Sequence, residues 1–382
     1  MRARYPLGLC AILFALTSCA GTPASIVVPT WVAPTLTPTA AGTPVPSSTS
    51  SPAPSPTTAA TPPALPSAFR TALLNPLDPP HSYLTDTCQY LRQKWSSNDS
   101  PPGTVVLAIM FHSITDKGIT TPNQTSASDF RALMQALHND GFQAITIPQL
   151  TDFMEENAKI PPRSVLLIAD DRHAKAYFDT YFRPYWDQFG WRMVNAWISK
   201  DDSISQQVLP GNIQLDKEGW VDHQAHGVVH NIPMDIYASD AYITSELEGS
   251  IESIQKNYGK TPTAIIWPGG FFSLRSVQIA RQLGYRLGFT ATPRGPLMFN
   301  WVPLANVNDP KRPDWSPPGS IPEGLVKDPL MVLPRYWDTD AILHLSAVMK
   351  IGQDAAAYAL ANKTTELEYY DIACAPAYGK MP

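Results

Sequence analysis

Charged residues are missing from a long stretch near the N-terminus. Between Cys19 and Phe69 there is no Asp, Glu, Lys or Arg, and Pro, Thr, Ser and Ala dominate. Such a composition cannot bury enough apolar surface to offset the loss of chain entropy on folding. Residues 19–69 are therefore predicted to form an extended linker. At about 3.1 Å per residue of polyproline rise, it would reach on the order of 100 Å.

Cysteine is also scarce, with four residues in 382. None of them shows the close spacing of a cysteine-rich zinc site, which excludes that class of metal protein. Cys10 and Cys19 belong to the N-terminal segment, and Cys88 and Cys374 lie near opposite ends of the remaining chain. This last pair forms either one disulfide or two buried thiols, and the disulfide is favoured in an exported protein.

An excess of basic residues is absent too. The sequence has 28 Lys and Arg against 33 Asp and Glu, a formal net charge of −5, and it has no basic run. Because phosphate binding depends on clustered positive charge, nucleic acid is excluded as a partner. A neutral or cationic glycan is compatible with this charge.

The N-terminus resembles an export signal. Arg2 and Arg4 precede the apolar residues 7–16, a run too short to span a bilayer and typical of a signal peptide, here predicted over residues 1–18. The sequence Leu-Thr-Ser-Cys at 16–19 resembles a bacterial lipobox, which implies lipidation of Cys19. We therefore expect an exported protein, anchored through Cys19 to a bacterial membrane, with its domain facing the extracytoplasmic side.

Residues 70–382 read as one folded domain in which strands alternate with helices. Nearly continuous apolar strands predict a parallel sheet covered by helices, and the number of strands favours an incomplete, distorted (β/α) barrel of about seven parallel strands. The predicted strands are 104–111, 142–146, 164–169, 192–198, 263–267, 286–290 and 331–334. The predicted helices lie near 127–140, 148–157, 173–189, 239–258, 273–283 and 339–361.

A candidate metal site follows one of these strands. Asp170 and Asp171 close the apolar run 164–169, and a later segment, His-Gly-Val-Val-His, contains His226 and His230. One carboxylate and two imidazoles can hold a divalent ion with open coordination positions, which leaves the second carboxylate as a general base. The alternative is that the aspartates only cap the next helix. In a barrel, strand ends of this kind meet at the C-terminal rim.

Several segments in the same order resemble the polysaccharide deacetylase family, also called the NodB-homology or carbohydrate esterase 4 group. Residues 105–114 resemble the strand that opens one branch of the family with Met-Tyr-His-Ser-Ile. Residues 168–172 stand where the family has Thr-Phe-Asp-Asp-Gly, 226–230 match its His-x-x-x-His motif, and 266–270 match its proline- and glycine-containing third motif. The resemblance covers roughly residues 104–340.

This resemblance implies roles for individual residues. Asp171, His226 and His230 would bind the metal ion, and Asp170 would be the general base. His112 would be the acid that protonates the leaving amine, although it can equally be a packed core histidine. The backbone N–H of Gly269 would stabilise the oxyanion. His223 is a competing ligand, but the family pattern uses the later pair.

The remaining candidates concern the substrate. Arg172 stands where the family has glycine, and it either narrows the pocket or supplies the arginine that is missing at Ile266. Trp220, Trp267 and Pro268 flank the proposed site residues and are candidates to line a sugar groove.

The function predicted from these observations is metal-dependent removal of N-acetyl groups from an amino-sugar polysaccharide, either an exopolysaccharide or peptidoglycan. The cofactor is one divalent ion: zinc is preferred, and iron, cobalt and nickel suit the same ligands. The protein is expected to be a monomer. The alternatives are an O-acetyl esterase acting on an acetylated glycan, and a non-catalytic glycan-binding protein of the same fold whose pocket is blocked by Arg172.

Overall fold

The computed structural model describes residues 60–381. It contains twelve strands, which in chain order are β1 Pro80–His81, β2 Val105–Phe111, β3 Ser113–Thr115, β4 Gln124–Ser126, β5 Gln143–Ala144, β6 Arg163–Ala169, β7 Met193–Trp197, β8 Val221–Ala225, β9 Ala264–Ile266, β10 Leu287–Phe289, β11 Val302–Pro303 and β12 Tyr336–Trp337.

Ten α-helices lie among these strands. They are α1 Thr87–Trp95, α2 Ala127–Asn139, α3 Ile147–Glu156, α4 Lys175–Tyr181, α5 Arg183–Phe189, α6 Ser203–Glu218, α7 Asp240–Tyr258, α8 Leu274–Gln282, α9 Ala341–Tyr369 and α10 Ala375–Tyr378. None of the helices within residues 60–381 combines the length and the apolar character that crossing a bilayer requires.

Eight of the strands form one sheet in which every pair is parallel. Seven follow the order β10-β9-β8-β7-β6-β2-β12, and β5 also pairs with β6. Between the two edges, Leu333 bridges Phe289 of β10 and Tyr336 pairs with Ile109 of β2. The segment from Leu333 to Tyr336 thus links the β10 edge of the sheet to the β12 edge. The predicted incomplete barrel of about seven parallel strands is confirmed.

The apolar strands are buried on both faces. In β2, Val106 and Ala108 belong to one hydrophobic cluster, whereas Val105, Leu107 and Ile109 belong to a second. Successive side chains of a strand point to opposite faces. Such a strand therefore needs no polar positions, which explains its continuous apolar sequence.

The prediction of secondary structure failed at specific places. β8 was missed because Asp222, His223 and Gln224 interrupt its apolar pattern, and α6 was missed because it contains Pro210. The predicted helix 173–189 is two helices, since α5 begins anew at Arg183. The predicted strand 331–334 pairs only at Leu333, and the strand of this region is β12.

The two ends of the described chain lie together. Cys88 of α1 forms a disulfide with Cys374, with Cα atoms 5.3 Å apart, and Lys94 and Trp95 both donate to the carboxylate of Glu366 in α9. Packing against the domain starts at Leu65, inside the segment assigned to the linker. Residues 1–59, with the predicted signal peptide, Cys19 and most of the linker, lie outside the described residues.

Candidate metal centre and active site

The predicted site residues follow the ends of three parallel strands of the same sheet. Asp170 and Asp171 come directly after β6, His226 after β8, and the turn Pro268–Gly270 one residue after β9. All these strands run in the same direction. Their C-terminal ends therefore bring the three segments to one rim of the barrel.

Asp171, His226 and His230 form a cluster at this rim. One ligand atom from each residue lies within 4.8 Å of the other two, and Nε2 of His230 is 3.6 Å from Oδ1 of Asp171. Carboxylate oxygen and imidazole nitrogen are suitable donors for a divalent transition metal. The three side chains therefore fit one such ion, as a three-ligand set with further positions left open.

The orientation of His226 supports this use. Its Nδ1 lies 2.7 Å from the carbonyl oxygen of Ile266, so the N–H of this nitrogen donates to the backbone. The other nitrogen, Nε2, is then the one with a free lone pair. In metal-binding histidines, a hydrogen bond from one ring N–H to a backbone carbonyl commonly fixes the tautomer and leaves the other nitrogen free to bind the metal.

Two residues of the cluster have unusual backbone conformations. Asp171 has φ 71° and His230 has φ 67°, both in the left-handed region. This region costs an ordinary residue on the order of 1–2 kcal/mol and occurs preferentially at functional sites. Interactions in the rest of the domain must offset this cost. The tertiary structure therefore holds Asp171 and His230 in backbone conformations that their own sequence disfavours.

Asp170 has a partner that the sequence did not reveal. Arg335 holds its carboxylate in a two-point contact, with Nη1 2.7 Å from Oδ1 and Nη2 3.0 Å from Oδ2, and both side chains are buried. The Nε of Arg335 also donates to the carbonyl of Thr290. The sequence contains one hint: Arg335 lies within an apolar segment, and an arginine that is fully buried is almost always paired.

This pairing sets the charge of Asp170. Burial alone would raise the pKa of its carboxyl, but the Arg335 guanidinium, together with His112 and His226, outweighs burial and holds the pKa well below its usual range. Asp170 is therefore ionised at neutral pH. Burial lowers the pKa of His226, which favours the neutral, ligand form of its ring.

His112 lies on the other side of Asp170. Its Nε2 is 3.7 Å from Oδ2 of Asp170, and its ring stacks on Trp337 with centroids 5.1 Å apart. Its Nδ1 is buried and has no hydrogen-bond partner in the described part of the chain. The alternative of a histidine packed deep in the core does not fit, because the ring reaches the rim beside Asp170.

The third motif is a tight turn. Gly269 is exposed at the rim with φ 61°, a conformation that glycine adopts without strain. Pro268 is buried, and a Cβ on Gly227 would lie 3.1 Å from its Cγ. Pro268 therefore packs under the histidine-containing loop and offers no open face to a sugar.

The prediction that Trp220 and Trp267 line a sugar groove is wrong. Trp267 is 0% exposed and donates its indole N–H to the carbonyl of Met331. Trp220 is 1% exposed and precedes β8, which places it at the opposite end of that strand from His226. Trp337, which was not predicted as a site residue, is a partly exposed aromatic residue stacked on His112.

Neither prediction for Arg172 matches the structure. Its Nη1 donates to Oδ1 of Asp202 at 2.6 Å and to Oγ of Ser205 at 3.1 Å, at the N-terminus of α6. The guanidinium is thus held by α6, and Arg335 occupies the place beside Asp170. His223 is excluded as a ligand because its ring nitrogens face other partners: Nε2 lies 3.0 Å from Oδ1 of Asn212 and Nδ1 3.5 Å from Oδ1 of Asp216, and the ring stacks on Tyr258.

These features define a class: (β/α)-barrel proteins with an aspartate and two histidines clustered at the C-terminal rim, beside a second, ionised aspartate. Comparison with known proteins shows which family part of this chain resembles. Residues 163–288 match the family model described as "Polysaccharide deacetylase". The "Putative polysaccharide deacetylase YxkH" of Bacillus subtilis (strain 168) is 22% identical over 200 residues, which cover 52% of this chain and 68% of that protein. Residues 163–288 of this chain are therefore similar to the polysaccharide deacetylase family.

Solved structures also resemble this chain. The Streptococcus pyogenes deacetylase PplD, solved with acetate, is 18% identical and is matched over 64% of this chain and 98% of its own, with a TM-score of 0.48. IcaB from Ammonifex degensii is 14% identical and is matched over 65% of this chain and 97% of its own, also with a TM-score of 0.48.

Proposed function

We propose that this protein is a metal-dependent hydrolase that removes N-acetyl groups from an amino-sugar polysaccharide, an exopolysaccharide or peptidoglycan, at the cell envelope. The observation that carries the proposal is the juxtaposition of the Asp171–His226–His230 cluster with Asp170. A ligand set and an ionised, non-ligating base at one rim are the parts that hydrolysis of an amide needs.

Asp171, His226 and His230 would hold one divalent ion, with zinc the first candidate. When bound, such an ion polarises a carbonyl and lowers the pKa of water toward neutrality. Asp170, kept ionised by Arg335, accepts the proton of the attacking water. The N–H of Gly269 donates to the carbonyl oxygen as it becomes negative.

His112 supplies the second proton transfer. As the C–N bond breaks, its imidazolium donates a proton to the departing amine nitrogen, and the products are acetate and the free amino sugar. Its position, 3.7 Å from Asp170, supports this role because acid and base then face the same reacting group. Trp337, which stacks on His112, is the aromatic side chain placed to contact a sugar ring.

The position of Arg172 favours an enzyme over a glycan-binding protein with a blocked site. The blocking hypothesis requires this side chain in the pocket, whereas its guanidinium donates to Asp202, the N-cap of α6, and to Ser205 in the first turn of that helix. The side chain that replaces the family's glycine is therefore accommodated outside the space between Asp170 and the cluster.

The test is acetate release from chitooligosaccharides by zinc-loaded protein, with metal content measured on the same samples. Asp170→Asn should keep the ion and lose about 10²–10⁴-fold in rate, because it removes the base and spares the ligands. Asp201→Asn, at an exposed aspartate, is the matched control and should retain full activity. Zinc-loaded wild type that releases no acetate would overturn the proposal, and release only from O-acetylated glycans would identify an esterase instead.

We also propose that the mature protein is exported and lipid-anchored through Cys19, which rests on the N-terminal sequence alone. Cys19→Ala should abolish acylation and leave the signal peptide uncleaved by the lipoprotein peptidase. The intact mass of protein extracted from membranes checks both outcomes, and a wild-type mass without acyl chains would contradict the anchor.

A further inference from the structure

A buried carboxylate on α7 lies directly behind the loop that contains both candidate histidine ligands. Glu246 is 2% exposed, and its carboxylate accepts hydrogen bonds from successive backbone amides of this loop. Val228 N is 2.8 Å from Oε2, and Val229 N is 3.0 Å from both oxygens. The N–H of His230 also points to Oε2, at the longer distance of 3.5 Å.

This carboxylate has no cationic partner. No Lys, Arg or His within residues 60–381 forms an ion pair with Glu246, so the loop amides are its principal hydrogen-bond donors. A buried carboxylate is costly unless hydrogen bonds compensate its lost hydration. Glu246 therefore holds the loop strongly, since releasing the amides would leave its charge unsatisfied.

The loop conformation requires such a contact. Gly227 has φ 74° and His230 has φ 67°, so two of four successive residues are left-handed. A Cβ on Gly227 would lie 2.8 Å from Oε2 of Glu246, so the loop and the carboxylate fit only when this residue is glycine. The side chain of Val228 packs against Gly249, one helical turn further along α7.

We propose that Glu246 is a positioning residue of the metal centre: by binding the amides of 228–230 it holds His230 in the left-handed conformation that turns its imidazole toward Asp171 and His226. Its negative charge adds to the attraction of the site for a cation. Glu246 touches neither substrate nor metal ion and acts through the loop. This inference rests on the proposed metal site.

The experiment measures zinc affinity by competition with a chromogenic chelator, together with hydrogen exchange of the loop amides in metal-free protein. Glu246→Gln should weaken zinc binding by about 10–100-fold, the range typical of lost outer-shell contacts, and should speed exchange at 228–230. Gly227→Ala should have the same two effects, because it disturbs the same contact from the other side. Glu248→Gln, exposed on the same helix, is the matched control and should change neither.

The outcomes separate this inference from the proposed function. If the wild type binds no zinc, the proposed metal site itself is refuted. If the wild type binds zinc and both Glu246→Gln and Gly227→Ala bind it equally well with unchanged exchange, only the role of Glu246 is refuted. Far-UV circular dichroism shows whether each variant with weaker zinc affinity is still folded. If Glu246→Gln is unfolded, the zinc affinity and the loop exchange of Gly227→Ala decide whether the contact with Glu246 positions the loop.

Discussion

Replacing Arg335 by methionine should destabilise the protein strongly and in a pH-dependent way. The change leaves the Asp170 carboxylate buried without its two-point partner. Removing one member of a buried ion pair typically costs about 3–5 kcal/mol, because the remaining charge is uncompensated. Since domains of this kind are stable by roughly 5–15 kcal/mol, a large part of the free energy of unfolding would be lost.

The pH dependence follows from Asp170. In the wild type its pKa lies well below the usual range, so its contribution to stability is present above pH about 4 and is lost as the pH falls through the folded-state pKa. Without the guanidinium, burial dominates and the pKa of Asp170 rises above its usual value. The loss of stability in Arg335→Met should then be small near pH 4 and grow as the pH increases.

Urea unfolding followed by circular dichroism at acid and alkaline pH measures this effect. Arg281→Met is the matched control, because Arg281 makes a similar two-point contact with Asp328 while both side chains are about one-third exposed. Exposed pairs contribute about 0.2–1 kcal/mol. Asp170→Asn added to Arg335→Met should restore much of the stability, since it removes the uncompensated charge. Equal losses for Arg335→Met and Arg281→Met, or a loss independent of pH, would refute this reasoning.

Four further outcomes are expected. Asp171→Asn and His226→Ala should each lower bound zinc sharply in folded protein, measured by elemental analysis, and unchanged stoichiometric metal in both would contradict the ligand assignment. Burial raises the pKa of Asp338 to about 7, so the folded state loses stability as the pH rises from about 4 to 7, and Asp338→Asn should raise the melting temperature at about pH 8 more than at about pH 4. Reduction of the Cys88–Cys374 disulfide should cost about 2–5 kcal/mol in urea unfolding, whereas two titratable thiols in non-reduced protein would disprove the bridge. Arg172→Gly should leave the rate of acetate release within about twofold of the wild type, because Asp170 remains the general base. A large gain in rate would show that Arg172 obstructs the pocket.

Local sequence was sufficient to find β2 and β6, but not β8, the strand that directly precedes His226. The continuous apolar sequences of β2 and β6 predict these strands, because a parallel strand buried on both faces has no polar positions. Asp170 and Asp171 at the end of β6 and the histidines after β8 then fall at one rim, because parallel strands share their direction. The order of the motifs along the chain was therefore enough to propose the cluster.

Only the tertiary structure decided which side chains surround that cluster. Arg335 is 165 residues from Asp170 in sequence and Glu246 lies on a helix after the loop it binds, so no local pattern links either to its partner. Trp267 adjoins site residues in sequence and Trp220 precedes His226 by one short strand, but both are buried away from the rim, because neighbours along a strand point to opposite faces or lie at opposite ends. Periodicity and motif order determine strands and their ends, whereas side-chain partners depend on packing between segments distant in sequence.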